Sequence, residues 1–202
     1  MVHVISTGGD VEMSFDKIRS FIAVDLADGK LIQGIVKSQS ELALTGADIK
    51  IVEPENIHAT LRFLGEVSSA LLDQVKNELS QIAFPPFVIE LRGIGAFPSS
   101  HRPNVIWVGI TKGEEDLQKI FSQLEPRLRG LGFVSEKRGF SPHITIARVK
   151  SGRNREALHS AIVEMSDREF GLMDVQSIRL KKSTLTPKGP IYSTIFELKP
   201  KT

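Results

Sequence analysis

The stretch His58-Ala59-Thr60-Leu61-Arg62-Phe63 returns 85 residues later as His143-Ile144-Thr145-Ile146-Ala147-Arg148. Each copy is a His-x-Thr inside an apolar, strand-like run. In a strand, residues two apart point to the same face. His58 and Thr60 therefore share a face, as do His143 and Thr145, while Leu61, Ile144 and Ile146 point the other way, towards a core. A repeat at this spacing in a chain of 202 residues predicts two similar halves. If the halves face each other, two imidazoles and two hydroxyls converge on one site.

That set fits acid–base chemistry on a phosphate. Histidine titrates nearest neutrality, so one ring can act as base while its twin acts as acid. Threonine can donate to a non-bridging phosphate oxygen without changing charge. Arg148 stands five residues after His143, which in an ideal strand is the opposite face. It reaches the site only if the strand ends or bulges nearby. The first copy carries Phe63 at the matching position, so the halves differ chemically. One His-x-Thr alone carries little weight, because both residues suit strands and surfaces. Two copies in matching apolar surroundings carry much more. The other histidines, His3, His101 and His159, lack such company and read as solvated surface groups.

Composition narrows the function classes. Lys plus Arg number 26 against 24 for Asp plus Glu, far from the positive excess of a protein that coats DNA. Local basic clusters matter more: Arg179, Lys181, Lys182 and Lys188 near the C-terminus, Lys137 and Arg138 before the second motif, and Arg148, Lys150, Arg153 and Arg155 after it. Together they suit the backbone of a short anionic substrate. With no cysteine, structural disulfides, thiolate metal sites and a cysteine nucleophile are excluded. No His-x-His or His-x3-His pair is present, so no metal and no cofactor are expected. No apolar run approaches the roughly 20 residues that span a bilayer, and the first ten residues lack the basic and apolar regions of a signal peptide. These features read as a soluble, cytoplasmic protein with no membrane partner and no argument against a monomer.

Residues 1–15 lack a pattern, contain Gly8-Gly9, and read as a flexible leader; residues 16–202 read as one bilobal domain. Strands are predicted over Ile18 to Leu26, Ile49 to Val52, Ile57 to Leu64, Phe87 to Leu91 and Val105 to Ile110. The second motif and two final strands, Phe170 to Leu185, either whole or broken, and Ile191 to Leu198, complete the set. Gly93 to Pro103 reads as a loop. Four helical stripes lie between, one carrying Pro126, where a kink or restart is expected. Strands that neighbour in sequence favour an α+β fold with antiparallel or mixed sheets.

Four blocks carry a resemblance to a known family: Arg19 to Asp25, His58 to Val67, Val105 to Gly109, and Phe140 to Arg148. From about Ile18 to Leu198 the chain resembles the 2H phosphoesterase superfamily. Within it, the chain is similar to the RNA 2′,3′-cyclic phosphodiesterases, also called 2′-5′ RNA ligases. The resemblance implies two pseudo-symmetric lobes, each an antiparallel sheet with flanking helices, around a central cleft. It implies metal-free hydrolysis of an RNA 2′,3′-cyclic phosphate end to a 2′-phosphate, with reversible 2′-5′ ligation in some members. His58 would be the proton donor and His143 the proton acceptor, the opposite order remaining open because the reverse reaction exchanges them. Thr60, Thr145 and Arg148 would hold the phosphate. Phe140 is a candidate for stacking on a base, or equally a core residue at the strand entrance, and Trp107 reads as core. The implied partner is an RNA end, with tRNA fragments as one family-level source. The alternatives are an RNA-end or nucleotide binding module, and a 2H enzyme for another small cyclic or 2′-5′ phosphoester.

Overall fold

The computed structural model describes residues 17–135, 139–187 and 189–201. The expected leader, Lys137, Arg138 and Lys188 lie outside the described residues. The strands are β1 (Ile18–Asp25), β2 (Ile49–Ile51), β3 (His58–Val67), β4 (Val88–Phe97), β5 (Val105–Ile110), β6 (His143–Val149), β7 (Glu169–Asp174), β8 (Ile178–Thr186) and β9 (Gly189–Leu198). The helices are α1 (Gly29–Leu44), α2 (Ser69–Ser80), α3 (Glu114–Gly130) and α4 (Arg155–Glu164).

Local chemistry sets the helix ends. The Asp28 carboxylate accepts from the backbone N–H of Lys30 and Leu31 at the start of α1, and Ser68 accepts from Leu71 N–H at the start of α2. Acidic Glu114, Glu115 and Asp116 open α3 and Arg127 and Arg129 close it, each sign matched to the helix dipole. The expected break at Pro126 does not occur: α3 runs through it, with Leu124 and Leu128 on either side fully buried. Of the loop expected over Gly93 to Pro103, Gly93 to Phe97 is strand, since β4 continues to Phe97, and the loop itself runs from Pro98. Gly93, at φ 74°, sits where the register with β5 slips. The glycines that mimic a loop signal are there for a bulge and for close packing.

The strands form one antiparallel sheet ordered β7-β4-β5-β6-β3-β1-β8-β9, with β2 added to β6. This order is a palindrome: β6 corresponds to β3, β5 to β1, β4 to β8, and β7 to β9. At its centre Ala59 pairs with Ile144. These two are counterparts in the repeat, so the pseudo-twofold passes between them. The fold is thus α+β with two pseudo-symmetric lobes joined at β3 and β6.

The helices cross between the lobes. α1 follows β1 yet packs on β7 and β6, beside α4, which lies on β4. α3 follows β5 yet packs on β3, beside α2, which reaches β9. Each lobe takes one helix from each half of the chain. Beneath them the buried Leu, Ile and Val side chains make one continuous core. Among the described residues no helix is long and apolar enough to cross a membrane.

Candidate active site

Alternation fails at the same place in both motif strands. In β3 both Leu61 and Arg62 are buried. There the pairing steps from Ala23–Thr60 to Ile22–Arg62, leaving Leu61 as an extra residue. In β6 both Ile146 and Ala147 are buried, and the pairing steps from Trp107–Thr145 to Ile106–Ala147, leaving Ile146 extra. Each bulge shifts the strand phase by one, so Phe63 and Arg148 return to the face of the histidines and threonines. The condition set for Arg148 by its odd spacing is met.

Each bulge is gripped by a helix from the other half. From α1, the buried Gln39 amide donates to the Ile146 carbonyl at 2.9 Å and to the Val52 carbonyl at 2.8 Å. The Ile146 carbonyl also accepts from Val52 N–H. From α3, Glu125 accepts from Arg62 Nε at 3.0 Å, while Arg62 also donates to the carbonyls of Phe63 and Val134.

The central Ala59–Ile144 pair places Thr145 beside His58 and Thr60 beside His143. Strand geometry puts such diagonal partners as His58 and His143 about 7–8 Å apart, with room for a phosphate between them. Both rings are held alike. Nδ1 of His58 lies 2.7 Å from the Asn56 carbonyl, and Nδ1 of His143 lies 2.7 Å from the Ser141 carbonyl. A carbonyl can only accept, so Nδ1 carries the proton and Nε2 is the atom left for acid–base work. Burial pushes the His58 pKa below its ordinary value; nearby Lys181 and His143 push the same way, while the Asn56 carbonyl and Asp25 oppose them.

Behind the rings the two arms diverge. Asp25, opposite His58 in the sheet, receives both Lys181 Nζ, at 2.6 and 2.7 Å, and Arg179 Nη1, at 2.8 Å. Phe21 and Tyr192 pack on the His58 ring at 4.9 and 5.4 Å between centroids. On the other arm Gly109 stands opposite His143, and Phe97 and Trp107 flank the ring at 5.0 and 6.4 Å.

His58, Thr60, Thr145 and Arg148 share one cleft of about 550 Å³. His143 opens on an adjoining hollow of about 310 Å³ with Phe97, Trp107 and Ser141. Phe140 lines neither. Its ring lies parallel to Phe121 of α3 at 4.6 Å and packs against the core, so of its two readings the core one describes its place. Trp107 corrects the other way. It pairs with Thr145 and therefore shares the motif face, lying over Gly95 and Gly109, where added side chains would strike its ring or the Arg92 carbonyl. His101 is exposed as expected, but His159 is half-buried and its ring stacks on His101 at 3.9 Å.

Asp25 stood in one family block and Lys181 in a basic cluster, but neither their pairing beside His58 nor the roles of Gln39 and Tyr192 could be read from the motifs, since each meets the site only through sheet pairing or a helix crossing. The alternation Val105, Trp107, Gly109 against Ile106, Val108, Ile110 was a usable signal for Trp107.

Comparison with known proteins gives the family and the fold. The chain matches the family described as LigT like phosphoesterase twice, over residues 26–107 and 108–192. An Aeropyrum pernix protein named RNA 2′,3′-cyclic phosphodiesterase is 46% identical over 169 residues, covering 84% of this chain and 96% of its own. An Archaeoglobus fulgidus protein of the same name is 39% identical over 180 residues, covering 88% of this chain and 98% of its own. Among solved structures, E. coli LigT complexed with 3′-AMP superposes with a TM-score of 0.77 at 21% identity, covering 92% of this chain and 99% of the other. That likeness bears on the fold.

Proposed function

The chain belongs to the LigT-like phosphoesterase family, and from that premise we propose that it hydrolyses RNA 2′,3′-cyclic phosphate ends to 2′-phosphates by two-histidine catalysis. The observation that carries this reading is the pair of Nδ1-anchored imidazoles on counterpart strands, each with a threonine on its face.

In the proposed step, water attacks phosphorus and the bond from phosphorus to the 3′-oxygen breaks. His143 takes the proton from water, and His58 gives one to the departing 3′-oxygen. Attacking and leaving oxygens lie roughly in line, which suits rings facing each other across the phosphate. Thr60, Thr145 and Arg148 hold the non-bridging oxygens, whose charge must be matched during displacement. The cleft supports this order of roles: the larger space lies beside His58, where the ribose with the leaving oxygen must sit, and the smaller hollow beside His143 admits water. The depressed pKa of His58 favours the reverse order in the empty site. A bound anionic phosphate opposes that depression. Replacing water by a 5′-hydroxyl in the same geometry gives 2′-5′ ligation without ATP.

The same reading puts the enzyme in the cytoplasm as a monomer, with RNA fragments such as tRNA halves as substrate. It is tested by incubating the protein, stripped of metal, with a short RNA ending in a 2′,3′-cyclic phosphate, with and without a 5′-hydroxyl RNA. A 2′-phosphate product that needs both histidines is expected, and a joined product adds ligation. An unreacted RNA bound tightly by a folded protein would instead make it a binding module.

A further inference from the structure

Each imidazole is only as well aimed as the carbonyl that holds its Nδ1. On the second arm the sequence fixes that carbonyl directly. Ser141 precedes Pro142, and a residue before proline is confined to extended backbone. The angle that aims the Ser141 carbonyl at His143 therefore has little freedom. On the first arm Ile57 stands where Pro142 does, so no proline constrains Asn56. Asn56 instead ends a single 3-10 turn, Pro54–Asn56, with its N–H on the Glu53 carbonyl at 2.9 Å. One such turn, with its poorer hydrogen-bond geometry, is a weak clamp.

The side chain of Asn56 supplies what the backbone lacks. Asn56 is buried, at 8% exposed, and its amide donates to the Pro190 carbonyl at 3.0 Å, across 134 residues of sequence. A buried amide without a partner is costly, so this bond ties the residue firmly to the start of β9. The same residue's carbonyl receives His58 Nδ1 at 2.7 Å. Two residues along β9, Tyr192 meets the His58 ring edge-on at 5.4 Å between centroids. β9 thus touches the imidazole directly through Tyr192 and holds its anchor through Asn56.

We propose that Asn56 is a positioning residue for His58, doing through its bond to Pro190 what Pro142 does for His143 through its ring. Without that bond the Asn56 carbonyl turns away. His58 then loses the partner that fixes its tautomer, and Nε2 is no longer held towards the phosphate. The proposal deepens the two-histidine reading above, and the kinetic half of its test rests on that reading.

Two variants test it. Asn56→Ala removes the donor, and Asn56→Asp keeps the shape while presenting only acceptors to the Pro190 carbonyl when ionised. Nitrogen NMR of the full chain with isotope-labelled histidine, at about pH 8 where imidazoles are neutral, reads the tautomer of each ring. In the wild type His58 and His143 should both carry the proton on Nδ1. In either variant His58 should shift towards a mixture with the Nε2-protonated form while His143 stays as it was, a selectivity that a general loss of stability would not produce. In kinetics, kcat on an RNA 2′,3′-cyclic phosphate should fall about tenfold, a fraction of what a general acid or base contributes, with KM changed much less. On a substrate with sulfur in place of the 3′-oxygen, the share of the loss recovered should follow His58→Ala and not His143→Ala, because Asn56 acts through His58. A His58 ring still wholly Nδ1-protonated in the variants would overturn the proposal, as would recovery that follows His143→Ala. If the wild type hydrolyses neither substrate but the His58 tautomer loosens in the variants, the RNA-end reading fails and the positioning role stands. Should Asn56→Ala not fold, Asn56→Asp, nearly identical in shape, carries both measurements.

Discussion

His58 and His143 stand on counterpart strands, two residues before counterpart threonines, and each donates its Nδ1 proton to a carbonyl two residues back. One shell further out they have little in common. Asp25 faces His58 where Gly109 faces His143. The counterpart of Lys181, by its pairing with Phe21, is Phe97, which pairs with Val105. Both rings pack against two aromatic side chains, Phe21 and Tyr192 on one arm and Phe97 and Trp107 on the other, but only the His58 ring has a carboxylate with two cations behind it. The repeat fixes where the reacting atoms go, because strand, bulge and carbonyl are backbone features. What stands behind each ring is free to differ, and that difference would let two identical groups take the different roles proposed for them.

The sharpest way to break this comparison is to make the roles unequal chemically. His58→Ala and His143→Ala should each lower kcat by about a thousandfold, within the range for losing a general acid or base. Sulfur at the 3′ bridging position leaves without protonation, so a 3′-thio cyclic substrate needs no acid. His58→Ala should recover most of its loss on that substrate and His143→Ala little. The reverse pattern exchanges the roles.

The next largest effect concerns stability. Asp25→Asn leaves Lys181, whose side chain is 9% exposed, without its carboxylate. Removing one partner of a buried pair costs about 3 kcal/mol, read as a lower urea midpoint. Asp25→Asn combined with Lys181→Met should recover most of it. A single variant as stable as the wild type would show that the charged backing of the His58 arm is not structural.

A smaller effect should follow from Gln39→Leu. It removes one hydrogen bond to the Ile146 carbonyl in the bulge of β6 and one to the Val52 carbonyl and should cost about 1–2 kcal/mol. Because that bulge aims Arg148, KM should rise as well. Loss of stability with unchanged KM would show that the bulge keeps its shape without α1.

These particulars mark what motif reading could and could not reach. The period-two pattern of the motif strands, with their 85-residue spacing, was enough for the site face, the core face and the doubled architecture. The bulges were half legible: Arg148 on the wrong parity made a bulge a condition, but nothing local said which residue was extra. The glycines of β4 misled because glycine marks both a loop and a bulge, and only the partner strand decides. Trp107 was misplaced because apolar composition was weighed above alternation. Asp25 with Lys181, and Gln39 with Ile146, meet across 156 and 107 residues, so their partnership exists only after the sheet forms and the helices cross.

The smallest expected effect is a dependence on pH. The folded state holds the His58 pKa below 6.5, first through burial, while in the unfolded chain it sits near about 6.5. The unfolded state therefore binds more protons between those two values, and stability falls as pH falls through that window. The contribution is fully present above the unfolded pKa and lost on passing below the folded one. Between pH 7.5 and 5.5 the wild type should lose more Tm than His58→Gln, whose amide does not titrate. Inorganic phosphate should shrink the wild-type loss, because an anion seated against the ring favours the imidazolium. Parallel Tm curves for the two proteins would mean that burial does not distinguish the His58 arm. A loss that phosphate leaves untouched would mean that the anion does not seat against this ring.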